Sequence, residues 1–271
     1  MNALPRPPHP ALSLKRPLVY AHRGGAALRP ENTIAAFDEG VALGSDGLEL
    51  DVHLSRDGVV VVHHDRVLER TTNGQGRLVD HTADELARLD AGFNFSSGGG
   101  FPFRGQGLGI PRLTDVLARY RDVALIIEFK VNEPEVANRT LDAVRAADAV
   151  DRVAFGSFGA RVLHRARTLE PRIPTGASRE EARWALYRSW VRWPLGETAY
   201  RELQVPERSG MTHIVSPRFV AHARRAGIPV KVWTVNEEAD MRRLAAWGVS
   251  AVITDRPDVA VRVLKGPNRQ G

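Results

Sequence analysis

The 271-residue sequence contains no cysteine. That excludes a disulfide framework, a thiolate zinc site and a cysteine nucleophile, and it leaves the redox compartment undecided. No apolar run approaches the ~20 residues that a transmembrane helix needs. The N-terminal stretch MNALPRPPHPALSLKRP is broken by five prolines and lacks a continuous apolar segment, so a secretory signal peptide is not expected there and a cytoplasmic location is. Lysine is scarce: Lys15, Lys130, Lys231 and Lys265 are the only four among 38 basic residues, and arginine carries the net charge of +6. The arginines are scattered, without a dense basic run or a strip interleaved with aromatics. They read as solvated surface charge, and nucleic acid is not an expected partner.

What is present is enough apolar material for a large core, 43% of residues, with an ordinary 26% charged. Residues 1–16 read as a flexible tail, 17–265 as one domain, and 266–271 as a C-terminal tail. Predicted strands lie at Leu18–His22, Gly47–Leu54, Val59–His63, Ala124–Lys130, Val153–Phe158, Pro174–Ala177, His213–Ser216, Val230–Val235 and Ala251–Thr254. Most are continuous apolar runs, the pattern of strands buried on both faces. Helical stretches alternate with them at Thr33–Leu43, Thr114–Arg119, Glu135–Ala147, Ala160–Leu169, Ser216–Ala226 and Glu237–Trp247. Asn32 and Asn236 stand where two of these helices start, and Gly227 and Gly248 where two stop. Between the second and third strands lies only Ser55-Arg56-Asp57-Gly58, a hairpin turn too short for a crossover. With the return strand set aside, eight strands remain in β/α order. The expected fold is an α/β TIM (β/α)8 barrel with an insertion at about 52–110 after the second strand, and a doubly wound open sheet is the alternative.

Polar residues stand where the buried strands end. His22-Arg23 closes the first strand. Glu49 and Asp51 lie two apart on the second, so both point to one face. The hairpin returns His64 to the same end, and Glu128 and Lys130 share a face at the end of the next strand. In a barrel these side chains converge on one mouth. Three carboxylates suit one hard divalent cation, Mg²⁺ or Ca²⁺, rather than zinc. Two histidines suit acid and base work near neutral pH, and Arg23 with Lys130 suits an anionic group such as phosphoryl. This set points to metal-assisted cleavage of a phosphate ester.

The segments AHRGGAALRPENTIAAF, GLELDVHLSRDGVVVVHHD, Thr71-Thr72-Asn73-Gly74, IPRLTDVL, LIIEFK, VKVWTVN and AVITDRPD resemble, in that order, the glycerophosphodiester phosphodiesterase family. The resemblance spans residues 18–258. It implies a TIM barrel, a divalent cation, and hydrolysis of glycerophosphodiesters to an alcohol and glycerol 3-phosphate, with a place in lipid and glycerol metabolism. It further implies attack by the glycerol 2-hydroxyl through a cyclic phosphate. By position in the motifs, His22 and His64 are implied as the acid–base pair, and Glu49, Asp51 and Glu128 as metal ligands. Arg23 and Lys130 are implied as phosphate contacts, and Trp233 as a wall of the pocket. Phe129 stands where a smaller aliphatic residue is common in this family, and His63 doubles the usual single histidine before Asp65.

Each residue has a structural alternative: His22 as a strand cap, Glu49 with Asp51 as an arginine-paired network, Glu128 with Lys130 as a salt bridge, Trp233 as core. Glu31-Asn32 reads as a helix start, His53 and His63 as neighbours without chemistry, and Asp255 receives no role. Two segments bear on substrate. Phe93, Phe95, Phe101 and Phe103 lie in a glycine-rich loop that could overhang the mouth or be a connector with its aromatics tucked onto the barrel. Trp184, Tyr187, Trp190 and Trp193 alternate with Arg183, Arg188 and Arg192, either as a lipid-dipping surface or, the favoured reading, as an outer helix packed on the barrel. The expected partner is a soluble glycerophosphodiester, with membrane contact not favoured. The alternatives are a lysophospholipase D and a non-catalytic phosphodiester-binding barrel.

Overall fold

Alternation along short strands builds this fold, one set of side chains facing the barrel interior and the other the surrounding helices. The computed structural model describes residues 13–266. Its parallel strands are β1 (Leu18–His22), β2 (Gly47–Leu54), β4 (Ala124–Phe129), β5 (Val153–Gly156), β6 (Leu203–Pro206), β9 (Val230–Trp233) and β10 (Ala251–Thr254). They run in the order β5-β4-β2-β1-β10-β9-β6. The bridges Phe155 to Thr175 and Gly176 to Glu202 span the gap between β5 and β6, giving a nearly closed barrel of eight strand positions. Outward residues such as Leu48, Leu50, Leu125, Ile127, Val205 and Val232 lie in two clusters beneath the helices. Tyr20, Ile126, Ala154, Ala251 and Ile253 form a smaller cluster inside.

The surrounding helices are α1 (Ile34–Ala42), α3 (Leu113–Arg119), α4 (Pro134–Ala146), α5 (Ala160–Leu169), α6 (Arg179–Val191), α7 (Pro217–Arg225), α8 (Glu238–Trp247) and α9 (Pro257–Lys265). α6 begins in a capping box, Ser178 and Glu181 each satisfying the other's backbone N–H. After β2 the chain turns into β3 (Val60–Val62), antiparallel to it, and then the insertion, whose short α2 (Ala83–Ala87) helps bury a separate core around Leu68, Leu78 and Leu86.

Several expectations need correction. The parallel strand before β9 is Leu203–Pro206, not His213–Ser216. Inward-facing Glu202 and Gln204 break its apolar run, so periodicity passes over it. Thr212–His213 (β8) instead pairs with Arg208–Ser209 (β7) in a small exposed hairpin. Pro174–Ala177 contributes only the two bridges that close the barrel. Thr33, not Asn32, caps α1, and Glu237, not Asn236, occupies the N-cap of α8. The glycine-rich loop is packed on itself: Arg104 lies 3.8 Å over Phe101 and 4.1 Å over Phe93, and Phe95 meets Phe103 edge-on at 5.4 Å. Within the predicted N-terminal tail, Arg16 is fastened to Asp46 by two hydrogen bonds of 2.9 and 3.0 Å. The rest of that tail, residues 1–12, and residues 267–271 of the C-terminal one lie outside the described residues. Among the described residues no helix is long and apolar enough to cross a membrane.

Candidate active site

The ends of β1, β2, β4 and β9 face one cavity of about 130 Å³, lined by His22, Arg23, Glu49, His64, Glu128, Lys130 and Trp233 among others. Asp51 sits just beneath, buried. All eight residues singled out from the sequence are therefore brought to one place.

The turn after β1 is built by conformation as well as charge. Arg23 and Asn32 both adopt left-handed backbone angles, φ 51° and 57°. Gly24 has φ +88°, and a Cβ there would lie 2.6 Å from the Ala36 backbone, so only glycine lets this turn rest on α1. The Arg23 backbone N–H donates to Glu49 Oε2 at 3.1 Å, while its guanidinium reaches Glu31 at 2.8 Å and Asp51 at 3.2 Å. Asn32 donates through Nδ2 to Asp51 Oδ2 at 2.8 Å. Lys130 Nζ lies 3.0 Å from Glu128 and 3.4 Å from Asp51.

Glu49, Asp51 and Glu128 each offer an oxygen, and these oxygens lie within 4.8 Å of one another. Burial, then the Asp51 charge, pushes the Glu49 carboxyl up to about 8. Burial likewise raises Glu128 despite Lys130. For Asp51 burial also opposes ionisation, but Lys130, Arg23 and His64 outweigh it and hold the group below the usual range. Asp51 Oδ1 is buried without a hydrogen bond. Crowded all-oxygen carboxylates, with this oxygen facing the Lys130 ammonium at 3.4 Å but not hydrogen-bonded, fit a hard cation.

Each histidine is gripped from behind. His22 Nδ1 meets Asp255 Oδ1 at 2.6 Å, leaving Nε2, 3.8 Å from Glu49, toward the cavity. Burial pulls its pKa down, but Glu49 and the Asp255 bond overcome this and raise it. His64 Nδ1 meets Asp65 Oδ1 at 2.6 Å. Asp65 in turn accepts from Arg70, which also clasps Glu31 at 2.6 and 2.8 Å. Burial of Asp65 and of Glu31 is overcome by these arginine contacts, and both fall to about 2. His63 and His53 turn away, bonding through Nε2 to the Val67 and His64 carbonyls at 3.3 and 3.0 Å. Trp233 meets Phe158 edge-on at 5.8 Å on the cavity wall.

Residues 22–259 match the glycerophosphoryl diester phosphodiesterase family. The chain belongs to this family. It is 32% identical over 253 residues to a glycerophosphodiester phosphodiesterase of Caldanaerobacter subterraneus subsp. tengcongensis, covering 92% of this chain and 98% of that one. A Bacillus subtilis glycerophosphodiester phosphodiesterase is 30% identical over 274 residues, 94% of this chain and 89% of its own. Among solved structures, an Oleispira antarctica phosphodiesterase in complex with the product sn-glycerol-3-phosphate superposes with a TM-score of 0.75 at 27% identity, covering 92% of this chain and 96% of that one.

Within this family frame, sequence reasoning missed the residues behind the histidines. Asp255 stands 233 positions from His22 and is reached only because β1 and β10 are neighbours. Asp65 was visible as the residue after His64 but carried no periodic signal. Asn32 and Glu31, expected to start a helix, instead hold Asp51 and Arg23.

Proposed function

We propose that this chain hydrolyses glycerophosphodiesters to an alcohol and sn-glycerol 3-phosphate, as a divalent-metal-dependent phosphodiesterase using histidine acid–base catalysis. The observation that carries the reading is the pair of histidines, each held through Nδ1 by a carboxylate at 2.6 Å, around one crowded three-carboxylate cluster. A carboxylate on Nδ1 fixes the proton there and leaves Nε2 to exchange protons with substrate.

Glu49, Asp51 and Glu128 would hold Mg²⁺ or Ca²⁺, which supplies positive charge for the phosphoryl oxygens. Arg23 and Lys130 add fixed positive charge on the same cavity wall. One histidine takes the proton from the attacking hydroxyl; the other donates one to the departing alkoxide, and their roles exchange when water completes hydrolysis. Trp233 limits the space beside the phosphate. The test is release of glycerol 3-phosphate from glycerophosphocholine, with and without chelator. Absence of the product under all metal conditions overturns the reaction, and full activity after exhaustive chelation overturns the metal.

A second reading rests on a groove of about 660 Å³ that continues from Glu128 and Trp233 along Leu186, Tyr187 and Trp190. Such a groove suits a lysophospholipid, each buried methylene adding up to ~0.8 kcal/mol. A kcat/KM preference of more than ~100-fold for lysophosphatidylcholine below its micelle concentration, about 2.7 kcal/mol, would make the lipid the substrate.

A further inference from the structure

Helix α6 buries Ala185, Leu186 and Ser189 and turns its other side outward. The expected packing of its aromatics on the barrel does not occur: Trp184 is 65% exposed, Trp190 50%, Val191 73%, and Trp193, just beyond the helix, 65%. Three of the five tryptophans in the chain stand here. They form a run with Tyr187, whose ring lies 6.1 Å from Trp184 and 5.3 Å from Trp190. Across the groove that leads to Glu128, the β7–β8 hairpin carries Met211 at its turn, 97% exposed. A monomer in water gains nothing from this much exposed aromatic surface.

The patch also carries positive charge. Arg188 donates to the Pro194 and Leu195 carbonyls, and Arg218 to the Trp190 carbonyl. Among the described residues neither these nor Arg183 and Arg192 form an ion pair with a carboxylate, unlike Arg119, Arg139 and Arg242, which meet Asp38, Glu135 and Glu238. Arg183, Arg188 and Arg192 thus alternate with Trp184, Trp190 and Trp193 as cations without a carboxylate partner, although the first turn of α6 also carries Glu180.

We propose that this face, α6 with Trp193 and the Met211 turn, docks on an anionic phospholipid bilayer. Indole rings favour the headgroup level of a membrane, with the apolar body in hydrocarbon and the N–H in water. Guanidinium groups without a carboxylate partner attract lipid phosphates and acidic headgroups. A second copy of the chain is the poorer occupant, because a two-fold contact would press the same unpaired arginines against each other. Docked in this way, the groove beside Tyr187 opens toward the lipid surface. The inference does not depend on the proposed reaction.

The test uses the full chain and sucrose-loaded unilamellar vesicles at ~0.15 M salt. Vesicles of phosphatidylcholine with roughly one third phosphatidylglycerol should carry down at least ~10-fold more protein than pure phosphatidylcholine. Brominated acyl chains should quench the tryptophan fluorescence. Trp184→Ala/Trp193→Ala should reduce sedimentation by ~10-fold or more with an unchanged circular dichroism melt. Val191→Glu, placing an acid on the same face, should weaken it as well. Failure to bind anionic vesicles overturns the proposal, and so does undiminished binding by both variants. Concentration-dependent self-association abolished by the double variant would make the face an interface between copies instead.

Discussion

Two adjacent layers of the barrel interior treat buried charge in opposite ways. In the deeper layer Lys231 and Glu202 meet at 2.7 Å, 3% and 0% exposed, with Lys231 Nζ 5.0 Å over the Tyr20 ring. One cation meets one anion, and Gln204 donates to the remaining Glu202 oxygen. Two residues further along β1 and β9 stand His22 and Trp233, beside Glu49 of β2 and Glu128 of β4. There three carboxylates crowd together, and the strain shows as Glu49 pushed up to about 8. The deeper layer is balanced and needs nothing from outside. The upper layer is unbalanced and ready for a cation.

Breaking the upper layer should damage catalysis and spare the fold. His22→Ala and His64→Ala are each expected to lower turnover by at least ~100-fold with an unchanged melting curve. A nearly normal His64 variant beside an inactive His63 variant would transfer the role to His63.

Breaking the deeper layer should do the reverse. Glu202→Gln leaves the Lys231 ammonium buried without its counter-charge and should cost about 3–5 kcal/mol of stability. The enzyme that remains folded should keep most of its turnover, which denaturant titration and rate measurement separate. Equal losses in both would mean the two layers act as one.

A finer cut removes a carboxylate from behind a histidine. Asp255→Asn should lower turnover by roughly 10-fold or more. Because the Asp255 bond helps raise the His22 pKa, the His22-dependent limb of the pH–rate profile should move to lower pH. An unmoved limb would deny Asp255 its positioning role.

The smallest effect is a pH slope of stability. Glu49 has its folded pKa raised from 4.5 to about 8, so the metal-free folded state holds a proton that the unfolded chain has released. Stability from this group is present at low pH and lost as pH rises through that window. Glu128 and His22, also raised, act in the same direction. Burial depresses His53 from 6.5 to about 4, so its opposite contribution falls below the upper part of the window. The metal-free protein should therefore lose melting temperature between pH 6.5 and 8, the interval bounded by those two values. Glu49→Gln should flatten the slope, and added Mg²⁺ or Ca²⁺ should raise the melting temperature most at its alkaline end. A slope unchanged in the variant would remove Glu49 as its source.

The sequence by itself determined the barrel class, the hairpin after β2, and the eight residues of the cavity. Apolar strand runs ending in His22, Glu49, Asp51, Glu128 and Lys130 are legible because buried strands do not otherwise tolerate charge. Tertiary structure decided what depends on neighbours distant in sequence. β6 escaped periodicity because Glu202 and Gln204 find Lys231 and each other inside a nearly closed barrel. Asp255 found its role only when β10 was laid beside β1. The outward turn of Trp184, Trp190 and Trp193 was decided by which side of α6 the barrel covers, since this helix carries apolar residues on both. Spacing along a chain places residues on a face; only packing says whether that face meets protein or the outside.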